Sequence, residues 1–266
     1  MTILQTVTEN HQKFRSVKEM AAGLGLNTNT VHIYLNRLGI RLQGSGRKSL
    51  VAHNIFDKSS DSRYWCGYIA ADGCIRRHYN GISIVSKDVD HALKFKNFIG
   101  SGSYAYYRDD KVTVSFSSVE SKKYLVSIGI TPAKSLTLEL HEQITWDMFR
   151  GIFDGDGCVR FRLGNGCEVH ITSASYRFLE QLQSFLAENE IVSNIRVKDK
   201  KSKNLCYGLY VSQKCAVQLY HLMYNNATTF LERKEQIMRN YVETRKLKSD
   251  EFRESPAMDN PEPSLS

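Results

Sequence analysis

The sequence predicts an α+β protein made of two pseudo-symmetric αββαββα repeats with antiparallel, saddle-like sheets, preceded by a small all-α domain. Three observations predict it. Residues 64–76 (YWCGYIAADGCIR) and 148–160 (MFRGIFDGDGCVR) are alike, with matching Gly, Asp-Gly-Cys and Arg positions. Short alternating strands and amphipathic helices follow each copy in the same order. Residues 1–41, before the first copy, have the pattern of short helices.

The composition is that of a globular protein rather than a membrane or secreted one. The chain has 266 residues, 41% hydrophobic and 24% charged, enough for one sizeable core and a small extra domain. No apolar run approaches the roughly 18 residues of a membrane span, so no membrane partner and a cytoplasmic location are expected. The six cysteines form no CxxC pair, which argues against a zinc site and a disulfide framework.

The charge is strongly positive and unevenly distributed. The formal net charge is +8, yet the segment 249–266 holds five acids against one base, so the positive excess lies in residues 1–248. An excess of this kind favours a polyanionic partner, with nucleic acid as the first hypothesis. The alternative is a charge that serves only solubility.

Composition divides the chain into five parts. Gly44, Gly46 and several serines mark a linker, and three of the four prolines lie beyond residue 248. The predicted parts are a helix-turn-helix domain at 1–41, a linker at 42–60, repeats at 61–144 and 145–247, and a disordered acidic tail at 248–266.

The N-terminal region has the pattern of a helix-turn-helix. Ser16 is placed to cap a first helix, Gly25 supplies a tight turn, and Asn27 or Thr28 caps a second helix that ends at Gly39. The alternative is an ordinary helical hairpin. Short polar side chains suited to base edges or phosphates are expected on the exposed face of the second helix, at Thr28, Asn29, His32 and Asn36.

Each repeat is expected to continue from its motif helix into two strand pairs, with a helix after each pair. The first copy predicts strands at 74–79, 81–86, 103–108 and 111–116. The second copy predicts strands at 158–163, 168–172, 194–200 and 206–211. A duplicated unit of this kind usually packs about a pseudo-two-fold axis.

The motif helices carry small residues and end in an acid. Gly67 and Ala71 lie four residues apart, as do Gly151 and Gly155, so the two helices are expected to pack closely along these positions. That packing brings Asp72 and the corresponding Asp156 side by side at the helix C-termini. Two acids there repel each other and oppose the helix dipoles, and a bound divalent cation offsets both costs.

The motifs WCGYIAADG (65–73) and FRGIFDGDG (149–157) resemble the LAGLIDADG signature of homing endonucleases. The resemblance covers residues 61–245 and rests on two copies, each followed by the ββαββα pattern. It implies a single-chain, site-specific endonuclease that makes a metal-dependent double-strand break in a long, asymmetric DNA target. It further implies a monomer, encoded by a mobile intron or a free-standing gene of phage or microbial origin.

The resemblance also implies a metal site. Asp72 and Asp156 match the family's metal-binding catalytic acids, and the backbone carbonyls of Ala71 and Gly155 are further candidate ligands. The implied cofactor is Mg²⁺, with Mn²⁺ as an alternative. The ions activate a water and stabilise the leaving oxygen, one strand each.

Family members place basic or amide side chains near the acids. Lys87, just after the second strand, matches such a place, although its counterpart in the second repeat is Ala174. Lys214 is a second candidate, and the alternative for both lysines is a solvated helix start. The motif copies also differ, because Ala70 stands where the second copy keeps Asp154, a position interpreted as structural.

Strand alternation predicts a DNA-binding face on the sheets. Ile75, Val159, Phe161, Val169, Ile171, Ile195 and Val197 are expected to face the helices. The opposite face suits base reading in a major groove; its side chains are Arg76, His78, Ser83, Lys111, Thr113, Ser115, Arg160, Arg162, Glu168, His170, Arg196 and Lys198. Arg77 and the lysines at 200, 201 and 203 are expected to contact phosphates. The alternative is the solvated face of a half-covered sheet.

A second function of another class stays open from the sequence. Some transcription regulators join a LAGLIDADG-like body to a helix-turn-helix, and some relatives act as intron-splicing maturases that bind nucleic acid. Such regulators typically lack the acids, whereas this chain keeps both. The sequence therefore favours the endonuclease.

Overall fold

The chain divides into two compact units, Met1–Leu50 and Val51–Ser266. The structure is a computed structural model and describes residues 2–14, 16–40, 53–100, 102–162, 166–199 and 205–254. Most of the predicted linker, the lysines at 200, 201 and 203, and residues 255–266 of the predicted tail lie outside the described residues. No helix in the described ranges combines the length and apolar character that crossing a membrane requires.

The described part of the N-terminal unit, residues 2–14 and 16–40, contains three α-helices around a small core. They are α1 (Ile3–Asn10), α2 (Val17–Leu24) and α3 (Thr28–Leu38). The Ser16 hydroxyl accepts a hydrogen bond from the amide of Glu19 and so caps α2. Gly25 ends α2 with φ of 64°, a left-handed conformation that favours glycine. The core side chains are Val7, Met20, Ala21, Val31 and Leu35.

The first repeat follows the predicted order. Its elements are α4 (Ser60–Asp72), β1 (Cys74–Ile75), β2 (Gly81–Ser86), α5 (Val89–Ile99), β3 (Tyr104–Arg108), β4 (Lys111–Ser117) and α6 (Val119–Ser127). The strands form one antiparallel sheet, here called the first sheet, in the order β1-β2-β4-β3. The first strand is shorter than the predicted 74–79, because residues 77–80 bend toward β2.

The second repeat repeats this topology. Its elements are α7 (Trp146–Asp156), β5 (Gly157–Arg162), β6 (Gly166–Ser173), α8 (Tyr176–Glu188), β7 (Ser193–Asp199), β8 (Cys206–Val211), α9 (Ala216–Tyr224) and α10 (Glu232–Glu254). The second sheet has the order β5-β6-β8-β7, again antiparallel. The predicted α+β class with two four-stranded antiparallel sheets is thus confirmed.

The last helix is longer than the sequence analysis expected. α10 continues to Glu254, past the predicted start of the tail at 248. The charged residues of this stretch are compatible with a helix, and the first proline of the C-terminal segment comes only at 256. Residues 248–254 are therefore helical, where a disordered tail was expected.

Each sheet packs one face on its helices. In the first sheet, Ile82, Ile84, Val112 and Val114 are fully buried on this face. In the second sheet, Val169, Ile171 and Leu209 are similarly buried, as predicted for the first two. Val197 departs from the expectation and is 44% exposed, because it lies on the edge strand next to a register irregularity.

The two motif helices, α4 and α7, cross at the centre of the body, as predicted. A Cβ atom on Gly67 would overlap the carbonyl oxygen of Met148, and one on Gly151 would overlap that of Tyr64. These contacts are equivalent under the repeat offset, so the crossing is symmetric. One turn further along, a Cβ on Gly155 would meet the methyl of Ala71. The glycines thus allow the two backbones to approach to contact.

Candidate active site

Asp72 and Asp156 are the last residues of α4 and α7. The two helices cross at equivalent residues, Gly67 and Gly151. Both acids therefore lie at the same end of the crossing, where each sheet begins. Neither carboxylate accepts a hydrogen bond from another described residue. Two acids in this arrangement are free to bind a cation.

A glycine after each acid fixes the turn from helix to sheet. Gly73 and Gly157 both have extended backbone angles, so positive φ is not the reason for glycine here. A Cβ on Gly73 would instead collide with Ile69, and one on Gly157 with Phe153, each in the preceding helical turn. The Asp-Gly pair therefore lets the chain fold back tightly beside the acid.

The two carboxylates influence each other. Loss of solvent contact, followed by the negative charge of Asp72, raises the pKa of Asp156 to about 6. Partial burial of its carboxylate also raises the pKa of Asp72, although the residue as a whole is exposed. Lys234 and Lys134 lower both pKa values and so favour the ionised acids. The site thus combines two acids with two lysines.

Lys134 serves the first motif. Its ammonium donates a hydrogen bond to the carbonyl of Gly73 at 2.5 Å, and its side chain is buried. The preceding Ala133 has φ of 58°, a left-handed conformation that alanine rarely adopts. Such backbone strain is concentrated at functional sites. Desolvation lowers the pKa of Lys134, while Asp156, Cys74 and Asp72 oppose that change.

Lys234, in the first turn of α10, serves the second motif. Its buried ammonium donates to the carbonyls of Phe153 at 2.7 Å, Asp154 at 2.8 Å and Gly157 at 2.5 Å. These oxygens lie at the C-terminus of α7, where a positive charge stabilises the helix dipole. Gly73 and Gly157 occupy equivalent positions in the two motifs. In each motif, therefore, a buried lysine donates a hydrogen bond to the carbonyl of this glycine. Neither lysine is among the site residues predicted from the sequence.

The two lysines predicted from the resemblance have other described contacts. Lys87 is 68% exposed and forms an ion pair of 2.6 Å with Asp110. Lys214 is exposed in a short 3-10 helix, Gln213–Cys215. Neither is among the charges that shift the pKa of Asp72 or Asp156. The catalytic role of Lys87 and Lys214 stays a prediction, and Lys134 and Lys234 are further candidates.

Asp154, the acid that the first motif lacks, has a structural position, consistent with its sequence interpretation. It is buried and accepts hydrogen bonds from the Tyr64 hydroxyl at 2.8 Å and the Leu231 amide at 2.7 Å. It thereby ties α7 to α4 and to the start of α10, which carries Lys234. The equivalent Ala70 is buried as well, so the two motifs differ in polarity rather than in exposure.

The candidate metal ligands have the chemistry that Mg²⁺ prefers. Mg²⁺ usually takes one or two carboxylates, with substrate phosphates and waters completing its shell. In the described ranges no group of three or more His, Cys, Asp or Glu is placed to hold a metal without substrate. The predicted ligand Gly155 already has a weak contact through its carbonyl, at 3.4 Å from the Lys234 ammonium.

Most of the predicted DNA-binding side chains lie on the open face of the sheets, the face turned away from the helices. Arg76, His78, Lys111, Arg160, Glu168, Arg196 and Lys198 are exposed, and Ser83, Thr113 and Ser115 are half-buried. Arg76 and His78 lie after β1 rather than in it. The Arg162 side chain lies outside the described set. In the N-terminal unit, Thr28, Asn29 and His32 are exposed, and the Asn36 side chain is not described.

His170 differs from the expectation of an exposed base-reading side chain. It is only 4% exposed, because it packs against the Tyr210 ring and lies 3.2 Å from the Lys198 ammonium. Burial, followed by the Lys198 charge, lowers its pKa. His170 therefore supports its neighbours on the open face instead of extending from it.

The second repeat and the overall fold both resemble known proteins. Residues 147–233 match the family model of a LAGLIDADG-like domain. The fold is that of LAGLIDADG homing endonucleases. I-DmoI in complex with DNA and Ca is similar with a TM-score of 0.51 and 14% identity, over 68% of this chain and 97% of that one.

A second solved structure shares the fold. The homing endonuclease I-GzeII in complex with its DNA target has a TM-score of 0.52 and 10% identity, over 73% of this chain and 92% of that one. The comparison with curated proteins found no match. At these identities the likeness establishes the architecture, and the chemistry must be argued from the residues.

Proposed function

We propose that this protein is a site-specific DNA endonuclease that makes a metal-dependent double-strand break. The observation that carries the proposal is the doubled site, in which two ionisable acids share one helix crossing and each neighbouring glycine carbonyl holds a buried lysine. A purely structural turn would not require an acid at the same point of both motifs. The related folds were solved with DNA, which agrees with the proposal.

Asp72 and Asp156 hold the divalent cations, with the carbonyls of Ala71 and Gly155 as further ligands. When bound, Mg²⁺ or Mn²⁺ supplies Lewis acidity toward a water and a phosphate oxygen. Both carboxylates must be ionised for this, and Lys134 and Lys234 favour that state. Their ammonium groups also bring positive charge to the place where the phosphodiester must lie.

The substrate is double-stranded DNA, bound by one monomer. The open faces of the two sheets differ in sequence, so the two halves of the target differ as well. The N-terminal unit, with Thr28, Asn29 and His32 exposed on α3, adds contacts outside the central site. The protein works in the compartment that holds its DNA target.

Cleavage of a plasmid library tests the proposal. The full-length protein is incubated with plasmids that carry random inserts, with Mg²⁺, and linear products are sequenced. We expect recovery of one long, asymmetric site that is cut in both strands. Specific binding without any cutting would instead favour a regulator or a maturase, and would contradict the endonuclease assignment.

Lys134→Met and Lys234→Met are expected to lower cleavage by about a hundredfold each, the typical cost of losing one preorganised electrostatic group. Each variant should slow one strand more than the other, because each lysine contacts one motif. The measurement is the cleavage rate of each strand, end-labelled separately. Lys234→Met should also lower the melting temperature, since it leaves three close carbonyls without their donor.

Lys87→Met is the matched control for the lysine variants. Lys87 is exposed and pairs only with Asp110 at the surface, an interaction of small energy. Its cleavage rates should stay within about twofold of the wild type. A comparable loss in Lys87→Met would support the sequence prediction for Lys87, whereas unchanged cleavage by Lys134→Met and Lys234→Met would refute the assignment of the two buried lysines.

Deletion of residues 1–45 is expected to leave a folded, cleavage-competent body. The body is a compact unit by itself, and both acids and both sheets remain. Affinity should fall, because linked modules gain from effective concentration. The DNase footprint should shorten on one side only. An identical footprint for the two proteins would show that α3 does not contact DNA.

A further inference from the structure

The open faces of the two sheets differ in chemistry at equivalent positions. Two rows of side chains cross the first sheet. One row is Val85, Thr113 and Tyr106, and the next is Ser83, Ser115 and Tyr104. Val85, Tyr104 and Tyr106 are 46%, 65% and 62% exposed, respectively, which is unusual for such large apolar groups. These rows are aromatic, aliphatic and hydroxylic.

The matching rows of the second sheet follow from the register. Cys74 pairs with Ser83 in the first sheet, and the equivalent Cys158 pairs with His170 in the second. Ser83 thus corresponds to His170, and two residues along each strand Val85 corresponds to Thr172. The second-sheet rows are therefore Thr172, Gly208 and Arg196, then His170, Tyr210 and Asn194.

The second-sheet rows are dominated by charged and hydrogen-bonding groups. The Lys198 ammonium donates to the Thr172 hydroxyl at 2.7 Å and lies against His170. The Arg196 guanidinium stacks over the Tyr210 ring at 5.5 Å. Further out, Arg160 and Glu168 lie directly opposite each other in the register of β5 and β6. Arg196 and Lys198 are thus both exposed and held in place by their neighbours. The equivalent residues of the first sheet are Tyr106 for Arg196 and Arg108 for Lys198.

Charged side chains lie beside the first-sheet rows rather than in them, with Arg76 and Lys111 exposed, and those at the β3–β4 turn are partly paired. At the β3–β4 turn Lys87 pairs with Asp110, and Arg108 lies 3.7 Å from Asp109. The hydroxyls of Tyr104 and Tyr106 have no hydrogen-bond partner among the described residues. These two rows therefore offer methyl groups, ring faces and hydroxyls to whatever covers them, and contain no charged side chain of their own.

We propose, resting on the proposed function, that the two halves of the DNA target differ in base composition at the positions next to the cut. Thymine is the one base with a methyl group in the major groove, where apolar side chains contact it. Guanine offers two acceptors that Arg or Lys binds. The inner half-site read by Val85, Tyr106 and Tyr104 is therefore rich in A·T pairs with thymine methyls. The half read by Arg196 and Lys198 requires guanines.

The test is selection of duplexes from a random library by the full-length protein in EDTA, which prevents metal-dependent cutting. We expect an asymmetric site, with A·T pairs on one inner side and guanine on the other. A selected site with G·C pairs on both inner sides would overturn this inference and leave the endonuclease proposal intact. Failure to enrich any duplex would overturn both.

Two reciprocal substitutions assign the sides. Arg196→Tyr should reduce the preference for guanine about tenfold on one side only. Tyr106→Arg, at the corresponding position, should create a guanine preference on the other side. Both residues are exposed, so thermal melts should stay unchanged and exclude misfolding. If Tyr106→Arg left the selected site unaltered, the aromatic face would not read bases, and the inference would fail.

Discussion

Asp72→Asn and Asp156→Asn are each expected to abolish double-strand cleavage, with rates at least about a thousandfold lower. The amide has nearly the same shape as the carboxylate but brings no negative charge to a divalent cation. DNA binding should persist within a fewfold, because the sheets and phosphate contacts supply it. The measurements are plasmid linearisation with Mg²⁺ and a binding titration in EDTA.

The same substitutions should stabilise the metal-free protein. The pKa of Asp156 in the folded state is about 6, above its ordinary 3.8, so its protonated form is favoured by folding. Its ionisation therefore reduces stability as pH rises from about 4 to about 6, and the reduction is complete above that. Asp156→Asn removes this cost and should raise the melting temperature by a few degrees at pH 7. At pH 4 the two proteins should melt alike.

The pH dependence of the melting temperature also shows whether a loss of cleavage comes from misfolding. A variant that is inactive but more stable at pH 7 has lost chemistry, not folding. Asp147→Asn is the matched control. Asp147 lies at the other end of α7, where its carboxylate forms an ion pair with Arg150. This variant should keep its cleavage rate and lose stability instead. A fast-cutting Asp72→Asn enzyme would refute the assignment of the metal ligands.

Gly67→Leu and Gly151→Leu should destabilise the protein more than any surface change. The Cβ alone would overlap a backbone carbonyl of the facing helix, and backbone cannot swing away as a side chain can. Overpacking of this kind costs about 3 kcal/mol or more. For a chain of this size the melting temperature should fall by roughly 10 °C. Thermal melts by circular dichroism measure it.

Gly81→Ala is the control for the glycine variants. A Cβ there would approach only the flexible side chain of Arg76, at 3.2 Å, and Gly81 has no positive φ. Its melting temperature should change by about 2 °C at most. Equal stability of Gly67→Leu and the wild type would mean that α4 and α7 do not meet at these glycines.

The sequence was sufficient to predict the repeat and its crossing because both depend on local, repeated patterns. Asp72 and Asp156 are separated by the same number of residues as Gly67 and Gly151. Aligning the two motif copies therefore predicts the motif helices and their crossing together. Strand alternation also identified the buried faces, as at Val169 and Ile171. Its errors fell where a strand is at an edge or stops early, as at Val197 and Arg76.

The lysines of the site were harder to predict because their positions break the repeat. Lys134 lies in an irregular segment, where no periodicity indicates which way a side chain points. Lys234 did leave a signal, since it shares a face of α10 with the buried Met238 and Val242 and follows the buried Leu231. A lysine on an apolar helix face is a sign of a buried, partnered ammonium. Lys87 was predicted from its place after a strand; that place cannot reveal its ion pair with Asp110, and its catalytic role stays a prediction.

The most direct test of the central claim, that two acids at one helix crossing form a metal-dependent double-strand endonuclease site, is strand-resolved cleavage of the selected target. Each strand is end-labelled in turn, and the wild-type protein is incubated with Mg²⁺ or with EDTA. We predict that both strands are cut at defined positions with Mg²⁺ and that neither is cut in EDTA. Cutting that continues in EDTA, or a bound target that stays intact with Mg²⁺ and with Mn²⁺, would contradict the account.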